Sequence, residues 1–530
     1  MISFGKGPCD EGAIRAAIDT GGCTERAKPW VLAATILGSS MAFIDGSVVN
    51  IALPVIQADL AASVTRMQWV VNAYLLLLGA LVLIGGAAGD RFGRRRIFAL
   101  GIVLFTAASI ACGLATGATG LITARAVQGA GGALLVPSSL AIISAAFGER
   151  ERGRAIGTWA AFSALTTSLG PVLGGWVINA LSWRVIFFIN VPIALVALAL
   201  VLWRVPESRN TSGSAAVDWR GGFLATLGLG AIAYGLTGAA DSAWIQPAVL
   251  GPLVGGVFLL VVFLWVESRA TSPMMPLGLF RSRAFSGANG MTLLLYFALG
   301  GALFFLPFNL IGLQGYSATA AGASFLPFTL ALGGLSRWSG ALQDRYGAKR
   351  LLTIGPIIAA AGFALLALPG IGGSYWRTFF PAMAVLGLGM GISVAPLTTT
   401  VMAAVEQRHA GAASGINNAV ARLAGMLAVA LLGAIAVGVF GQALEARLRA
   451  LSVAPEIQAA LREQIPKLAE ARVPPGIEGA ARQSVARALD MAFLASFRTV
   501  MLIAAGMALV SALCAGLTLR AAAAPARTSP

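Results

Sequence analysis

The chain has 530 residues, of which 58% are hydrophobic and only 11% are charged. An average soluble protein carries roughly 25% charged residues, so this chain has too few charges to cover the surface of a soluble enzyme. The composition also excludes disordered and fibrous proteins, which leaves a membrane protein with several spans. The formal net charge of +16 does not require a nucleic-acid partner, because the basic residues cluster in loops that orient membrane proteins.

Continuous apolar segments recur along the chain, and a transmembrane helix needs about 20 mostly apolar residues. We predict fourteen spans, near 30–53, 68–88, 97–115, 120–146, 156–179, 184–203, 221–240, 247–266, 289–313, 320–342, 351–370, 377–403, 412–440 and 491–519. Strands of a transmembrane barrel would alternate apolar and polar residues, and these segments do not. The sequence therefore predicts an all-α membrane protein.

Basic residues are unequally divided between the two sets of short loops. Loops after even-numbered spans contain most of them, whereas the alternate loops contain Arg66, Arg184 and Arg377. The positive-inside rule then places the basic loops and both termini in the cytoplasm of a multi-pass protein of the cytoplasmic (inner) membrane. Residues 1–29 lack a long apolar run, so we predict a cytoplasmic tail there rather than a cleaved signal peptide.

Two of the predicted cytoplasmic turns have matching sequences. Residues 86–95 and 340–349 align without a gap and share two glycines, an Asp-Arg pair and a terminal base. The second glycine suits the positive φ of a tight turn, and the aspartates can pair with nearby arginines or cap the next helix. We predict a conformational gating role for Gly86, Asp90, Arg91, Gly93, Arg94, Gly340, Asp344, Arg345, Gly347 and Lys349. The alternative is a pair of basic turns that only set orientation.

The repeat divides the chain into two six-helix halves, with the substrate path expected between them. The predicted parts are a tail at 1–29, an N-terminal bundle at 30–203, a linking pair of spans with flanking loops at 204–285, a C-terminal bundle at 286–519 and a cytoplasmic tail at 520–530. The C-terminal bundle includes a long extracytoplasmic loop at 441–490. We predict amphipathic surface helices there, interrupted at Pro474 and Pro475, which form a solvated cap or a partner's docking surface.

The repeated turns resemble the signature loop of the major facilitator superfamily. Further segments resemble its fourteen-span drug:proton antiporter branch, namely 43–54, 125–131, 170–175, 183–192 and 411–422. The resemblance extends from about residue 30 to 440 and implies proton-coupled efflux by alternating access. The chain departs from the branch at Thr166, where the antiporter motif usually has glycine. It also lacks the additional acidic residues found in the later spans of some exporters of multicharged drugs.

Ionisable residues within spans cost roughly 2.5–3.5 kcal/mol each on insertion and so indicate function. Asp45 is the carboxylate that we place deep within a span, and we predict that it couples transport to protons together with Arg125. The resemblance implies that the fourth-span arginine affects proton transfer. Alternatively, Asp45 only pairs with a base or caps a kink, and Arg125 and Arg422 only reach towards the membrane interface.

Proline interrupts the hydrogen bonds of the fifth predicted span at Gly170-Pro171, and Gly174 and Gly175 permit close helix packing. The resemblance implies that this antiporter motif seals the cavity against ion leak, and a plain kink is the alternative. We predict that a substrate path is formed by Asn50, Gln128, Gln314, Asn417, Asn418 and Arg422. Candidates for an apolar cavity lining are Phe304, Phe305, Phe308, Met390 and Met402. The alternative is that they face lipid or the core, because such positions have the same sequence pattern.

His409 and the four cysteines (Cys9, Cys23, Cys112, Cys514) have no spacing typical of a metal site, and Gly5-Lys6 lacks the pattern of an ATP-binding loop. We therefore expect no cofactor, no enzymatic activity and a proton gradient as energy source. The predicted function is export of hydrophobic or amphipathic small molecules, with lipid as surroundings and a periplasmic adaptor as a conceivable partner. The alternatives are an exporter or facilitator of one metabolite or lipid, and a receptor or scaffold that does not transport.

Overall fold

The computed structural model describes the chain over six stretches, which are residues 27–209, 218–239, 244–271, 273–406, 410–451 and 454–519. Predictions for the two tails, for His409 and for Cys9 and Cys23 therefore lie outside the described residues, apart from the last residues of the N-terminal tail. Gly340 and the side chain of Asp344 are also outside them, although the helix that contains both is described.

The described residues form helices and short connections, with no strand among them. The first eight helices are α1 (Lys28–Asp59), α2 (Val64–Phe92), α3 (Arg94–Gly113), α4 (Ala118–Ala146), α5 (Glu149–Ala180), α6 (Val185–Phe188), α7 (Asn190–Arg204) and α8 (Trp219–Gly238). The others are α9 (Pro247–Arg269), α10 (Arg283–Pro307), α11 (Ala318–Ala323), α12 (Leu326–Tyr346), α13 (Ala348–Leu366), α14 (Phe379–Ala403), α15 (Ala410–Ala450), α16 (Pro455–Arg462) and α17 (Gly479–Thr518).

Thirteen helical segments within the described stretches are long and apolar enough to cross a membrane. They coincide with all of the predicted spans except the fifth, which falls in α5, where several side chains are not described. The prediction of an all-α, multi-pass membrane protein is confirmed.

Two predicted spans are divided in the structure. The sixth consists of α6 and α7, and the tenth consists of α11 and α12. Pro192 and Pro327 lie in the first turns of α7 and α12, where a missing N–H leaves no helical hydrogen bond unmade. The ninth span ends in one π-helical turn, Phe308–Leu313, directly after Pro307.

The two halves of the bundle meet along two seams. Helix α2 packs along α15, and α5 packs against α11 and α12. Helices α8 and α9 pack on each other, and α8 also contacts α2 and α15, so the linking pair lies beside the first seam. The largest buried apolar cluster includes residues of both halves, among them Val49, Leu295 and Val429. The cavity at the centre of the bundle is lined by residues of α1, α2, α4, α5, α10, α12 and α15.

The long loop differs from its prediction at both ends. Helix α15 has 41 residues and α17 has 40, so at 1.5 Å per residue each is about 60 Å long. That is about twice the hydrocarbon thickness of a bilayer, so much of the predicted loop 441–490 continues the flanking helices. Between them lie α16 and a 3₁₀ turn at Ile465–Glu470, and residues 471–478, with Pro474 and Pro475, are non-helical. We call the bundle end with this loop the loop end, and that with Gly93 and Gly347 the turn end.

Candidate functional site

The centre of the N-terminal half contains a buried ion pair. Asp45 of α1 is 3% exposed and Arg125 of α4 is 1% exposed. The Nη1 atom of Arg125 donates to Oδ2 of Asp45, and the Nε2 atom of Gln128 donates to the other oxygen, Oδ1, at 2.9 Å. Both carboxylate oxygens therefore have partners, as a buried charge requires.

Further hydrogen bonds connect this ion pair to α3 and α7. Gln128 accepts from Arg125 Nη1 at 2.7 Å and donates to the Ser109 hydroxyl at 3.3 Å. Asn190 donates to the same hydroxyl at 3.0 Å, and Ser109 donates to the Phe187 carbonyl at 2.8 Å. The network thus includes residues from α1, α3, α4, α6 and α7. Gln128 was predicted on the substrate path, and the structure places it in this network instead, because its amide bonds both charged groups.

Helix α2 holds the arginine from the other side. Arg125 Nε donates to the Val70 carbonyl at 3.1 Å, and its guanidinium lies 4.1 Å from the centre of the Tyr74 ring. The Tyr74 hydroxyl donates to the Ala42 carbonyl at 3.3 Å. An arginine over an aromatic face gains a cation–π interaction that strengthens when water is excluded. Arg125 is therefore a fixed part of the N-terminal half and does not extend to the membrane interface.

A central cavity of about 280 Å³ lies between the two halves. Arg125, Tyr74 and Asn50 line it from the N-terminal half, and Arg422 and Phe328 line it from the C-terminal half. Asp45 does not line the cavity and lies behind Arg125. Its neighbour in the chain, Gly46, does line the cavity. The two predicted proton-coupling residues are thus in contact with each other, and one of them borders the cavity.

Among the residues predicted on the substrate path, Asn50 and Arg422 line this cavity. Asn417 does not, because its amide donates to Thr292 at 2.7 Å and ties α15 to α10. Asn418 is exposed and donates to the Ser414 carbonyl at 3.0 Å. Gln314 lies beyond the π turn at the loop end, where it donates to the Gly370 carbonyl at 2.9 Å.

Of the two alternatives for the phenylalanine candidates, the structure shows the core position. Phe304, Phe305 and Phe308 are buried against one another, with ring centres 5.0 and 5.4 Å apart, in the core rather than at the cavity. Met390 is buried in the same core, and Met402 is exposed near the end of α14. The phenylalanines that line the cavity among the described residues are Phe43, Phe325 and Phe328, and Tyr74 is a further aromatic residue of the lining.

The antiporter motif on α5 packs closely against α11 near the loop end. A Cβ atom at Gly175 would lie 2.9 Å from Thr319 Cα, and one at Gly322 would lie 2.7 Å from the Pro171 carbonyl carbon. Thr319 donates to the Gly175 carbonyl at 3.1 Å. Gly170 and Gly174 instead face α1, against Ser47 and Val48. The two halves thus approach to backbone contact at this end, since small residues allow it.

The two repeated turns share their backbone geometry. Gly93 has φ of 111° and Gly347 has φ of 80°, as the sequence predicted. Asp90 forms an ion pair with Arg94, Oδ1 to Nη2, at 2.8 Å. Arg91 and Arg345 each lie over the ring of the following aromatic residue, Phe92 and Tyr346. A Cβ at Gly86 would lie 3.6 Å from Pro137, an ordinary contact, and Lys349 is partly buried in the first turn of α13.

The sequence analysis missed the acid that completes the first turn. Glu207, after α7, accepts from the backbone N–H of Arg95 at 3.1 Å and lies 3.7 Å from Arg96 Nε. It therefore supplies the negative charge at the start of α3, where unpaired N–H groups and the helix dipole favour an anion. Asp90 pairs with Arg94 instead. Only folding brings Glu207 to this turn, so no local motif marked it.

The sequence of the chain matches the Major Facilitator Superfamily over residues 35–429. It is 38% identical over 413 residues to a puromycin resistance protein of Streptomyces alboniger, covering 77% of this chain and 82% of that protein. It is 35% identical to the multidrug resistance protein Stp of Mycobacterium tuberculosis strain CDC 1551 / Oshkosh, covering 79% of this chain and 77% of that protein. It is 33% identical to the tetracenomycin C resistance and export protein of Streptomyces glaucescens, covering 77% of this chain and 76% of that protein.

The fold is also similar to that of a solved structure. This is a bacterial homologue of the human lysosomal transporter Spinster in an inward-facing, unoccupied conformation, with a TM-score of 0.62 and 18% identity over 93% of this chain and 98% of that one. The similarities cover both halves and the cavity between them. The chain belongs to the Major Facilitator Superfamily, as a transporter rather than an enzyme and as a relative of its drug and antibiotic resistance exporters.

Proposed function

We propose that this protein is a secondary active transporter that exports hydrophobic or amphipathic small molecules in exchange for protons. The observation that carries the proposal is the buried pair of Asp45 and Arg125, of which the arginine lines the central cavity. A buried carboxylate is expensive in a membrane and is kept where protons or ions move. The relatives named for resistance to puromycin, tetracenomycin C and multiple drugs support drug-like substrates.

Proton uptake changes the contacts of Asp45. A protonated carboxyl group has no net charge, so it no longer attracts the guanidinium of Arg125. Arg125 would keep its hydrogen bonds to the Val70 carbonyl and to Gln128 and its contact with the Tyr74 ring. Its guanidinium would, however, be freer to move towards the cavity that it lines. Protonation in α1 would thereby alter both the charge and the shape of the cavity.

Alternating access requires the two halves to separate at one end while they close at the other. The glycine contacts between α5 and α11 support a closed loop end in this structure. In the proposed orientation, with both termini in the cytoplasm of a cytoplasmic membrane, the loop end faces outwards. The cavity then receives its substrate from the cytoplasmic side. Entry of one proton across 100 mV provides about 2.3 kcal/mol.

The first experiment identifies a substrate. An efflux-deficient host that expresses the gene is tested for growth on puromycin and tetracenomycin C, beside the same host without it. A compound tolerated only with the gene is then used with the purified protein in liposomes under an imposed pH gradient. We expect efflux of this compound to follow the gradient.

Asp45→Asn should abolish the dependence on the gradient. The matched control is Asp59→Asn, a carboxylate at the loop end of the same helix, which accepts from Trp183 at 2.9 Å and Arg184 at 3.0 Å. We expect this control to keep gradient-driven efflux. Efflux that ignores the gradient and is unchanged in Asp45→Asn would overturn the exchange mechanism.

A further inference from the structure

The central cavity carries an excess of positive charge. Among the described residues that line it, Arg125 and Arg422 are the charged ones. Asp45 neutralises Arg125 from behind, and no acid of the described lining balances Arg422. The lining therefore has one uncompensated positive charge, that of Arg422, while Arg125 is paired with Asp45.

Arg422 has no ionic partner within the described part of the chain. No hydrogen bond or ion pair joins its guanidinium to the residues described there. An unpaired charge within a membrane span is costly, and a counter-charge in the cavity would offset that cost. An arginine kept in this position is therefore suited to a partner that is not part of the chain.

The surroundings of Arg422 determine which partner fits. The Asn50 amide lies in the same lining and donates one of its two N–H groups to the Gly46 carbonyl, so the other can donate to an anion. The opposite walls are aromatic and aliphatic, including Phe43, Phe325 and Leu303. Pockets of this kind bind an apolar body through the walls and orient it through a few polar groups.

We infer that the central cavity binds amphipathic organic anions, whose carboxylate, sulfonate or phosphate group pairs with Arg422 while the apolar body packs against Phe43, Phe325 and Phe328. The guanidinium of arginine matches such oxyanions through two parallel N–H donors. Arg422 belongs to the C-terminal half and Asn50 to the N-terminal half, so the bound anion contacts both halves. This inference rests on the proposed function and specifies the substrate class of the same site.

The binding test uses three probes that share one ring system. Naphthalenesulfonate is anionic, naphthalenesulfonamide is neutral and naphthylmethylammonium is cationic. Titration calorimetry of the purified full chain in detergent should give at least about tenfold tighter binding of the anion than of the amide, because a charged hydrogen-bond partner roughly doubles the interaction. The cation should bind more weakly than the amide. Equal or tighter binding of the cation would overturn the inference.

Substitutions assign the preference to Arg422. Arg422→Gln should lose the preference for the anion and keep the affinity for the amide, whereas Arg422→Lys should restore part of the preference. Arg377→Gln, which removes one exposed positive charge in the loop before α14, is the matched control and should behave as the unmodified protein. Thermal unfolding shows whether each variant is folded. An anion preference that survives in folded Arg422→Gln would contradict the assignment.

Transport assays in liposomes show whether only the inferred substrate class is wrong or the proposed function is wrong as well. Exchange of a proton for an anion moves two charges per cycle, exchange for a neutral molecule moves one, and exchange for a monovalent cation moves none. A potassium diffusion potential at equal pH, inside negative, should therefore drive naphthalenesulfonate out of liposomes. Naphthylmethylammonium efflux driven by a pH gradient but indifferent to voltage would refute only the anionic substrate. If a pH gradient drives none of the probes and none of the compounds from the growth panel, the proposed function fails as well.

Discussion

Arg125 of α4 and Asp45 of α1 form an ion pair whose two side chains are almost completely shielded from solvent, and Gln128 bonds both of them. The two helices are thereby held together through charges in the interior of the N-terminal half. Removal of one charge leaves the other buried without its partner, which costs more than removal of both.

The pair can be tested by a double-mutant cycle. Arg125→Gln should destabilise the protein by about 3–5 kcal/mol, because it leaves a buried carboxylate without its counter-charge. Asp45→Asn combined with Arg125→Gln should cost less than Arg125→Gln alone. Denaturant unfolding in detergent gives these free energies. Additive losses in the two single variants would show that the pair contributes no coupling.

The contact between α5 and α11 predicts an effect on conformation. Gly322→Val should separate the two helices at the loop end, since its side chain would lie against the Pro171 carbonyl. We expect a longer distance between spin labels on α5 and α11 and weaker transport. Gly157→Ala is the control on α5, because its Cβ meets nothing within 4 Å. An unchanged distance distribution in Gly322→Val would contradict a tight seal there.

Two substitutions at the first repeated turn should cause different defects. Asp90→Ala should slow transport more than it lowers stability, because its ion pair with Arg94 lies partly exposed at the turn, and such pairs contribute little to stability. Glu207→Ala should lower stability by about 0.5–2 kcal/mol, because it removes the oxygen that accepts from the N-terminus of α3. Initial transport rates and unfolding free energies distinguish the two. Normal transport by Asp90→Ala would leave the turn with an orienting role only.

Orientation is tested by cysteine labelling. In a cysteine-free background, Gln483→Cys in the loop and Arg350→Cys at the turn end both place a thiol at an exposed position. We expect a membrane-impermeant maleimide to label Gln483→Cys in intact cells and to label Arg350→Cys only after permeabilisation. The reverse pattern would invert the topology, and labelling of both in intact cells would mean that the reagent had entered.

The sequence indicated the features that depend on composition and local pattern. Continuous apolar segments located the spans, and the gapless repeat located the turns where Gly93 and Gly347 have positive φ. Asp45 and Arg125 were distinguished because ionisable residues are rare within spans. Their direct contact could not be derived from spacing, since α1 and α4 come together only in the folded bundle.

The errors have a common physical origin. An apolar side chain in a span can face lipid, a core or a cavity, and the sequence looks the same in each case. Phe304 was therefore a candidate for the cavity although it packs in the core, and Phe328 was overlooked although it lines the cavity. Gln314 and Asn417 were predicted as substrate contacts because they are polar, but their amides hold neighbouring segments together.

The length of α15 and α17 has a mechanical consequence. Each is a continuous helix that extends beyond the bilayer at the loop end, so its outer tip is displaced farther than its buried part when the C-terminal half tilts. The hydrogen bond from Gln57 of α1 to the Lys467 carbonyl, 3.0 Å long, links this lever to the N-terminal half. In the proposed cycle, tilting of one half relative to the other would strain that bond, and a label on the projecting end of α15 or α17 would report the movement from outside the membrane.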